Sequence, residues 1–306
     1  WASQYEGCMH ACGHDGHTAM LLGAAAVLAE LRGRLARPVK LLFQPAEEGG
    51  AGARALIEAG ALSADVGGCA VGAVFGQHGS PLIELGQVGL REGPDHARVD
   101  TLEATLRGHG GHGARPHESR DPVLAAAHVI TALQSIVSRN VDPVDAAVVS
   151  VCCVHAGRTS NVIPAEAELV GTIRTYEDAT AKLVHERIRA LCEGVARSFG
   201  CEADVRITEV YPVNVNDAAA VAQARRAARR LGEDTAVESP KTMGAEDFAF
   251  YAQRVPSCFV VLGLRPPSGT WPNLHSPQFD FNDDALGIGI RLHCELALAG
   301  WAGEAG

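Results

Sequence analysis

Three histidines, a cysteine and an aspartate fall within nine residues, in the stretch "MHACGHDGH": His10, Cys12, His14, Asp15 and His17. Imidazole nitrogen, thiolate sulfur and carboxylate oxygen are the donor types that borderline-soft divalent metals select. Further donors follow apolar runs along the chain. Glu47 and Glu48 come after "VKLLF" (39–43), His78 after "AVGAVF" (70–75), and His275 lies in a loop after "CFVVLG" (258–263). If those runs are strands of one α/β sheet, the loops at their carboxyl ends gather along a single edge. Cys12 and His14, two apart in a loop, can point to one side. Cys12, His14, Glu48, His78 and His275 then supply enough ligands for two metals if one ligand or a water bridges, and Glu47 is left to act as a base. Each residue alone has a plainer explanation: a strand-end histidine is usually a surface group, paired glutamates a solvated face, a single cysteine a small buried apolar residue. The joint pattern raises the odds. His10 and His17 read as support or packing around such a site. Asp15 reads as a helix cap or a partner that orients a histidine.

The elements that must carry these groups are legible in outline. Leu21, Leu22, Ala25, Leu28 and Ala29 mark one face of a helix over 18–31. The three apolar runs read as buried strands, and helices are expected over 52–60, 217–231 and 284–299. Strands alternating with helices indicate an α/β layer with a largely parallel sheet. The middle of the chain differs. Strands are expected at 97–108, 146–156, 167–176 and 202–210. Helical stripes run through Val123, Ala127, Ile130, Leu133 and Val137, and through Val184, Ile188, Leu191, Val195 and Phe199. The order β-α-β-β-α-β is that of a ferredoxin-like unit. The expected organisation is an α/β domain from 1–95 and 212–306, with an α+β domain of 96–211 inserted. "GHGGHG" (108–113) matches a dinucleotide-binding fingerprint, but Pro116 interrupts before any helix begins, so a nucleotide site is rejected.

With 306 residues, 47% of them apolar, the chain can bury a sizeable core. A net charge of −10 without a run of like charges argues against nucleic acid or an anionic membrane as the main partner. No apolar run approaches a membrane span, and no secretory signal is visible. The nine cysteines are odd in number and lack a Cys-x-x-Cys pair, which points to reduced thiols and a cytoplasmic setting. Cys69, Cys152, Cys153, Cys258 and Cys294 are expected in the core.

"MHACGHDGH", "FQPAEEGGAGA", "GHGGHGARPHESRDPV", "SNVIP", "GTIRT", "MGAEDFAFY" and "LHSPQF", in this order, together resemble the N-acyl-amino-acid amidohydrolases of the aminoacylase/carboxypeptidase metallopeptidase superfamily, a group with hippurate hydrolases and auxin-conjugate hydrolases. The resemblance covers nearly the whole chain. It implies a metal-binding catalytic α/β domain with an inserted lid domain that also forms a homodimer. It implies two divalent ions, of the manganese or zinc type, held by Cys12, His14, Glu48, His78 and His275, with Glu47 as general base. His112 resembles a lid histidine that acts at the partner subunit's site. Asn161 and Arg174 resemble lid residues that hold the substrate carboxylate; their plainer roles are a turn residue and an exposed strand charge. Glu246 and Asp247 are expected only to support the floor of the site. Members of that group carry about a hundred residues before "MHACGHD", so the chain is expected to lack early strands of the sheet. The implied activity is metal-dependent hydrolysis of N-acyl amino acids. A dipeptidase or carboxypeptidase, or a truncated non-catalytic ligand-binding relative, are the alternatives.

Overall fold

Apolar runs bounded by Gly and Pro become strands, and i, i+4 stripes become helices, in the computed structural model, which describes residues 3–301. In chain order, α1 (His14–Glu30), α2 (Glu47–Gly50) and α3 (Gly52–Glu58) precede β1 (Val74–Glu84), β2 (Val88–Leu90), β3 (Gly93–His96), β4 (Arg98–Arg107) and β5 (Gly111–His112). Helix α4 (Pro122–Arg139) leads to β6 (Ala147–Ala156), β7 (Val162–Ile163) and β8 (Glu166–Thr175). Helix α5 (Asp178–Ser198) leads to β9 (Glu202–Tyr211) and β10 (Asn214–Asn216). Then come α6 (Ala218–Arg229), β11 (Ala236–Glu238), α7 (Ala249–Ala252), β12 (Ser257–Arg265) and α8 (Leu286–Ala299). The chain divides into two compact units, one of residues 1–95, 214–241 and 247–306, the other of 96–213 and 242–246. Segment 242–246 belongs with the second unit because Gly244 O accepts from the Ala97 amide and Thr242 O from the Tyr176 hydroxyl.

In the first unit the sheet order is β1-β12-β2-β11. β1 and β12 are parallel, as are β2 and β11, but β12 and β2 are antiparallel, so the sheet is mixed and not largely parallel. The cause is a tight reversal after β1, closed by Gln87 N–H to Glu84 O, which sends β2 back along its neighbour. "VKLLF" is not a strand. No strand among the described residues pairs with 39–43, and Val39 and Phe43 are exposed while Leu42 packs partly beside Phe248 and Phe259. Helix α1 starts at His14, and its buried stripe is Gly16, Met20, Ala24 and Leu28. Leu22, expected inside, is 62% exposed. The stripe is set by α8, where Gly289 leaves room for Met20; a Cβ there would lie 1.9 Å from the Met20 sulfur. Met20 then joins Val88, Val260, Leu262, Leu264 and Leu292 in the core of this unit.

The second unit is ferredoxin-like. Its sheet order, β6-β8-β4-β9, is antiparallel throughout, and Arg98 to Arg107 of β4 pair residue for residue with Thr175 to Glu166 of β8. Leu102, Leu106, Val149, Leu169 and Ile173 from the sheet pack against Val129, Leu133, Val184 and Ile188 of α4 and α5. Asp121 caps α4 by accepting from the Val123 and Leu124 amides. Cys258 and Cys294 are buried, but Cys152 and Cys153 are exposed and Cys69 is intermediate. The register shifts between Val151 and Cys153, and beyond that bulge the edge strand β6 runs clear of the helix-covered core. None of the nine cysteines forms a disulfide. Among the described residues, no helix is long and apolar enough to cross a membrane.

Candidate metal centre

Cys12 and His14 flank Gly13, the residue before α1, whose φ of 84° is the left-handed conformation that glycine adopts without penalty. A Cβ on Gly13 would meet Phe281 at 2.9 Å and one on Gly16 at 2.6 Å, so both glycines let the start of the helix lie on that ring. The turn at Gly13 delivers the buried Cys12 thiol and the half-buried His14 ring to one place.

Glu47 and Glu48 stand on α2, a single turn whose helical path breaks at Glu48 (ψ 79°) and Gly49 (φ 93°). The break brings both carboxylates to one imidazole: His14 Nε2 lies 4.0 Å from Glu47 Oε2 and 3.9 Å from Glu48 Oε1. Among the described residues, the non-glycines with positive φ are Ala46, Ala51 and His275. Each such residue costs about 1–2 kcal/mol. All of them sit at this cluster, where strain of this kind concentrates when geometry serves function.

His78 is not at a strand end. It lies within β1, paired with Val261 of β12. Its Nδ1 is 2.8 Å from Gly79 O. A carbonyl only accepts, so Nδ1 carries the proton and the Nε2 lone pair faces Cys12 Sγ at 3.4 Å. Gly79 is fixed in turn: its amide donates to His17 Nε2 at 2.8 Å, and a Cβ on it would strike Leu264 at 2.8 Å. His275, in the loop after β12, is tied to the Cys12 segment by its amide, which donates to Ala11 O at 2.6 Å. Its Nε2 lies 3.3 Å from Cys12 Sγ and 4.0 Å from Glu48 Oε1.

Three sets of donor atoms therefore converge, each within 4.8 Å: Cys12, His14 and His78; Cys12, Glu48 and His275; His14, Glu47 and Glu48. The first two share the Cys12 sulfur. Sulfur, imidazole nitrogen and carboxylate oxygen facing one another are lone-pair donors that a cation between them satisfies, and the set suits borderline-soft divalent ions. The electrostatics agree. Burial lowers the His14 pKa, opposed by Glu48, so its ring is neutral at neutral pH and its lone pair is available. His17 is held well below the usual imidazole range by burial and by His78 and His14. Its role as an anchor for Gly79 rests on a backbone contact that no motif announces; the only trace is its place one helical turn after His14. His293 on α8 is among the groups acting on His17, and burial alone brings its own pKa down to about 4.

The remaining candidates lie in the second unit. His112 on β5 pairs with Val162 of β7, and Gly113 N–H donates to Asn161 O at 2.8 Å, so His112 and Asn161 share one exposed ribbon. Ala114 N–H donates to His112 Nδ1 at 3.1 Å, which leaves the proton of the neutral ring on Nε2. Asn161 Oδ1 accepts from the Thr159 hydroxyl. Arg174 on β8 is half-buried; its guanidinium donates to Met243 O, Ile173 O and the Thr172 hydroxyl, and no carboxylate among the described residues lies within ion-pair distance of it. Burial lowers its pKa, with Asp100 opposing.

Donor sets that share the Cys12 sulfur, in the unit built on a mixed sheet with a ferredoxin-like unit inserted in the chain, suit a metal-dependent hydrolase. The description of peptidase family M20/M25/M40 matches residues 1–299, and the chain belongs to that family. It is 41% identical over 298 residues to an N-acetylcysteine deacetylase of Bacillus subtilis (strain 168), covering 97% of this chain and 76% of the relative. It is 38% identical over 301 residues to the IAA-amino acid hydrolase ILR1-like 2 of Arabidopsis thaliana, covering 97% of this chain and 67% of that protein. Among solved structures, a dinuclear metal-binding peptidase of the M20 family from Bacillus subtilis superposes with a TM-score of 0.81 at 37% identity, over 97% of this chain and 75% of that one.

Proposed function

We propose that the chain is a metal-dependent amidohydrolase that cleaves the amide bond of N-acyl amino acids, releasing a carboxylic acid and a free amino acid. The observation that carries this reading is the Cys12 sulfur shared between two donor sets, with Glu47 beside them at His14. Cys12, His14, Glu48, His78 and His275 would hold two divalent ions, of the manganese or zinc type that the resemblance implies; when bound, such a pair would supply Lewis acidity that acidifies water and polarises a carbonyl. Glu47 accepts the proton of the attacking water as its oxygen bonds to the acyl carbon. It then hands that proton to the nitrogen as the C–N bond breaks. His112, with its proton on Nε2, donates to the carbonyl oxygen as negative charge develops there. Its resemblance to a lid histidine that acts across a dimer supports a homodimer in which it serves the partner's site. Arg174, a half-buried cation with no ion-paired carboxylate among the described residues, takes the carboxylate of the amino acid, and Asn161, on the ribbon of His112, assists. Nine cysteines without a disulfide suit a reducing, cytoplasmic setting.

The test is a substrate panel under Mn²⁺ and under Zn²⁺: N-acetylcysteine, other N-acetyl and N-benzoyl amino acids, indole-acetyl amino acids, and dipeptides with free amino termini. Turnover of the acylated compounds well above the dipeptides is expected. Preference for dipeptides assigns the chain to peptide hydrolysis, and no turnover with metal bound leaves a binding protein.

A further inference from the structure

Asp247, in "MGAEDFAFY", has no part in the chemistry above. Its side chain is fully buried, in the same unit as the donor cluster. Oδ1 accepts from Gln44 Nε2 at 2.6 Å, and Oδ2 accepts from the Ala53 amide at 2.9 Å. Those two donors bracket segment 45–52, which carries Glu47 and Glu48. The ends of the segment close tightly: a Cβ on Gly52 would lie 1.7 Å from Pro45 O, so only glycine fits there. Inside it, Ala46 (φ 57°) and Ala51 (φ 50°) are held in the left-handed region. An alanine persists in that conformation only where its surroundings impose it. Here one carboxylate, using both oxygens, holds the residues on both sides.

We infer that Asp247 is a positioning residue, a two-point clamp that keeps segment 45–52 in its strained form and so aims Glu47 and Glu48 at His14. This rests on the reading of Glu47 as base and Glu48 as ligand. The clamp requires a carboxylate, because both partners are donors; an asparagine in its place turns an NH₂ group toward one of them. Asp247→Asn therefore keeps the shape and removes one anchor. Gln44→Met removes the other anchor's donor and leaves the carboxylate in place.

Both variants are made in the full chain, each with and without Ala46→Gly and Ala51→Gly. Three quantities are read: hydrogen exchange of the peptide spanning 44–55, Mn²⁺ affinity by calorimetry, and kcat and KM on the best N-acyl substrate. Exchange in 44–55 is expected to rise about tenfold with the rest of the chain unchanged. Mn²⁺ affinity is expected to fall about 10–100-fold, the usual effect of losing a group that orients a ligand, with kcat falling more than KM rises. The glycine pair removes the strain, so Asp247→Asn should cost markedly less affinity in that background than alone. Wild-type exchange of 44–55 in both variants overturns the clamp, as does exchange raised evenly across the whole unit, or affinity losses that simply add. If Asp247→Asn does not fold, Gln44→Met decides. Exchange is read without turnover, so an active Glu47→Gln, which would sink the functional reading, leaves this result separately legible.

Discussion

Acidification should destabilise the protein through His293, and His293→Leu should remove that effect. The ring lies on α8, partly buried, and burial alone lowers its pKa from 6.5 to about 4. Above pH 6.5 the ring is neutral in both the native and the unfolded chain, so it contributes no pH dependence there. Below pH 6.5 the unfolded chain takes up a proton that the native protein refuses until about pH 4. The unfolded state then binds more protons, and stability falls with pH. Each pH unit over which the unfolded chain alone is protonated is worth about 1.4 kcal/mol, so the loss between pH 6.5 and pH 4.5 is about 2 kcal/mol. Urea unfolding of wild type and His293→Leu, both without metal, at pH 7.5, 6.5, 5.5 and 4.5 measures it. Groups on which His293 does not act titrate in both proteins alike and cancel in the difference; His17, which His293 lowers, contributes with it. The stability of wild type relative to the variant should change by only a few tenths of a kcal/mol from 7.5 to 6.5 and then drop by about 2 kcal/mol. Parallel curves down to pH 4.5 refute the reasoning, because the ring would then be protonating in the native state as it does in water.

Glu47→Gln keeps the shape and removes the proton acceptor; metal content should stay near normal while kcat falls about 10²–10⁴-fold, and activity within threefold of wild type would remove Glu47 from the mechanism. Cys12→Ala and His275→Ala should each lower the metal content measured by elemental analysis; unchanged content in both would mean that the donor sets are wrongly drawn. Gly79→Ala forces a methyl to 2.8 Å from Leu264 and displaces the peptide between His17 and His78. A stability loss of about 1–3 kcal/mol by thermal melting, with weaker metal binding, is expected. If His112 serves the partner's site, mixing Glu47→Gln with His112→Ala under subunit exchange should restore about a quarter of all sites, as two-fold symmetry requires, whereas a flat result places His112 in its own subunit.

Strands and helices of the second unit were legible because their signals are local. Helix α5 forms over the expected stripe of Val184, Ile188, Leu191, Val195 and Phe199, although its buried face runs through Val184, Ile188, Cys192 and Ala196; on α4 the expected face is displaced, with Val123, Ala127 and Val137 exposed while Ala125, Val129, Leu133 and Ile136 meet the sheet. The first unit was less transparent. "VKLLF" has the composition of a buried strand, but a strand needs a ladder partner, and composition does not say whether one is present. The face of α1 was misplaced by a residue because the cavity above Gly289 chooses Met20, a choice made by α8 and invisible in the stretch itself. The donor cluster could be anticipated from residue types, since chemistry restricts which side chains meet a metal. Support from His17 and Asp247 could be expected as well, but not how they give it: His17 accepts from the Gly79 backbone amide, and Asp247 reaches residues distant in sequence, contacts that leave no periodicity.

The sheet that carries His78 pairs Val74 with Ser257 along the parallel ladder of β1 and β12, and the cluster spans Cys12 to His275. Contacts so far apart in the chain are slow to form, because loop closure must precede any reward from them. The second unit, with its antiparallel neighbours and local helices, can be complete while the ends of the first are still apart. Closure of the donor sets is then a late event in folding: a polypeptide with β12 undocked presents Cys12 and His14 without His275. During biosynthesis the set of Cys12, Glu48 and His275 cannot close until the segment bearing His275 has emerged.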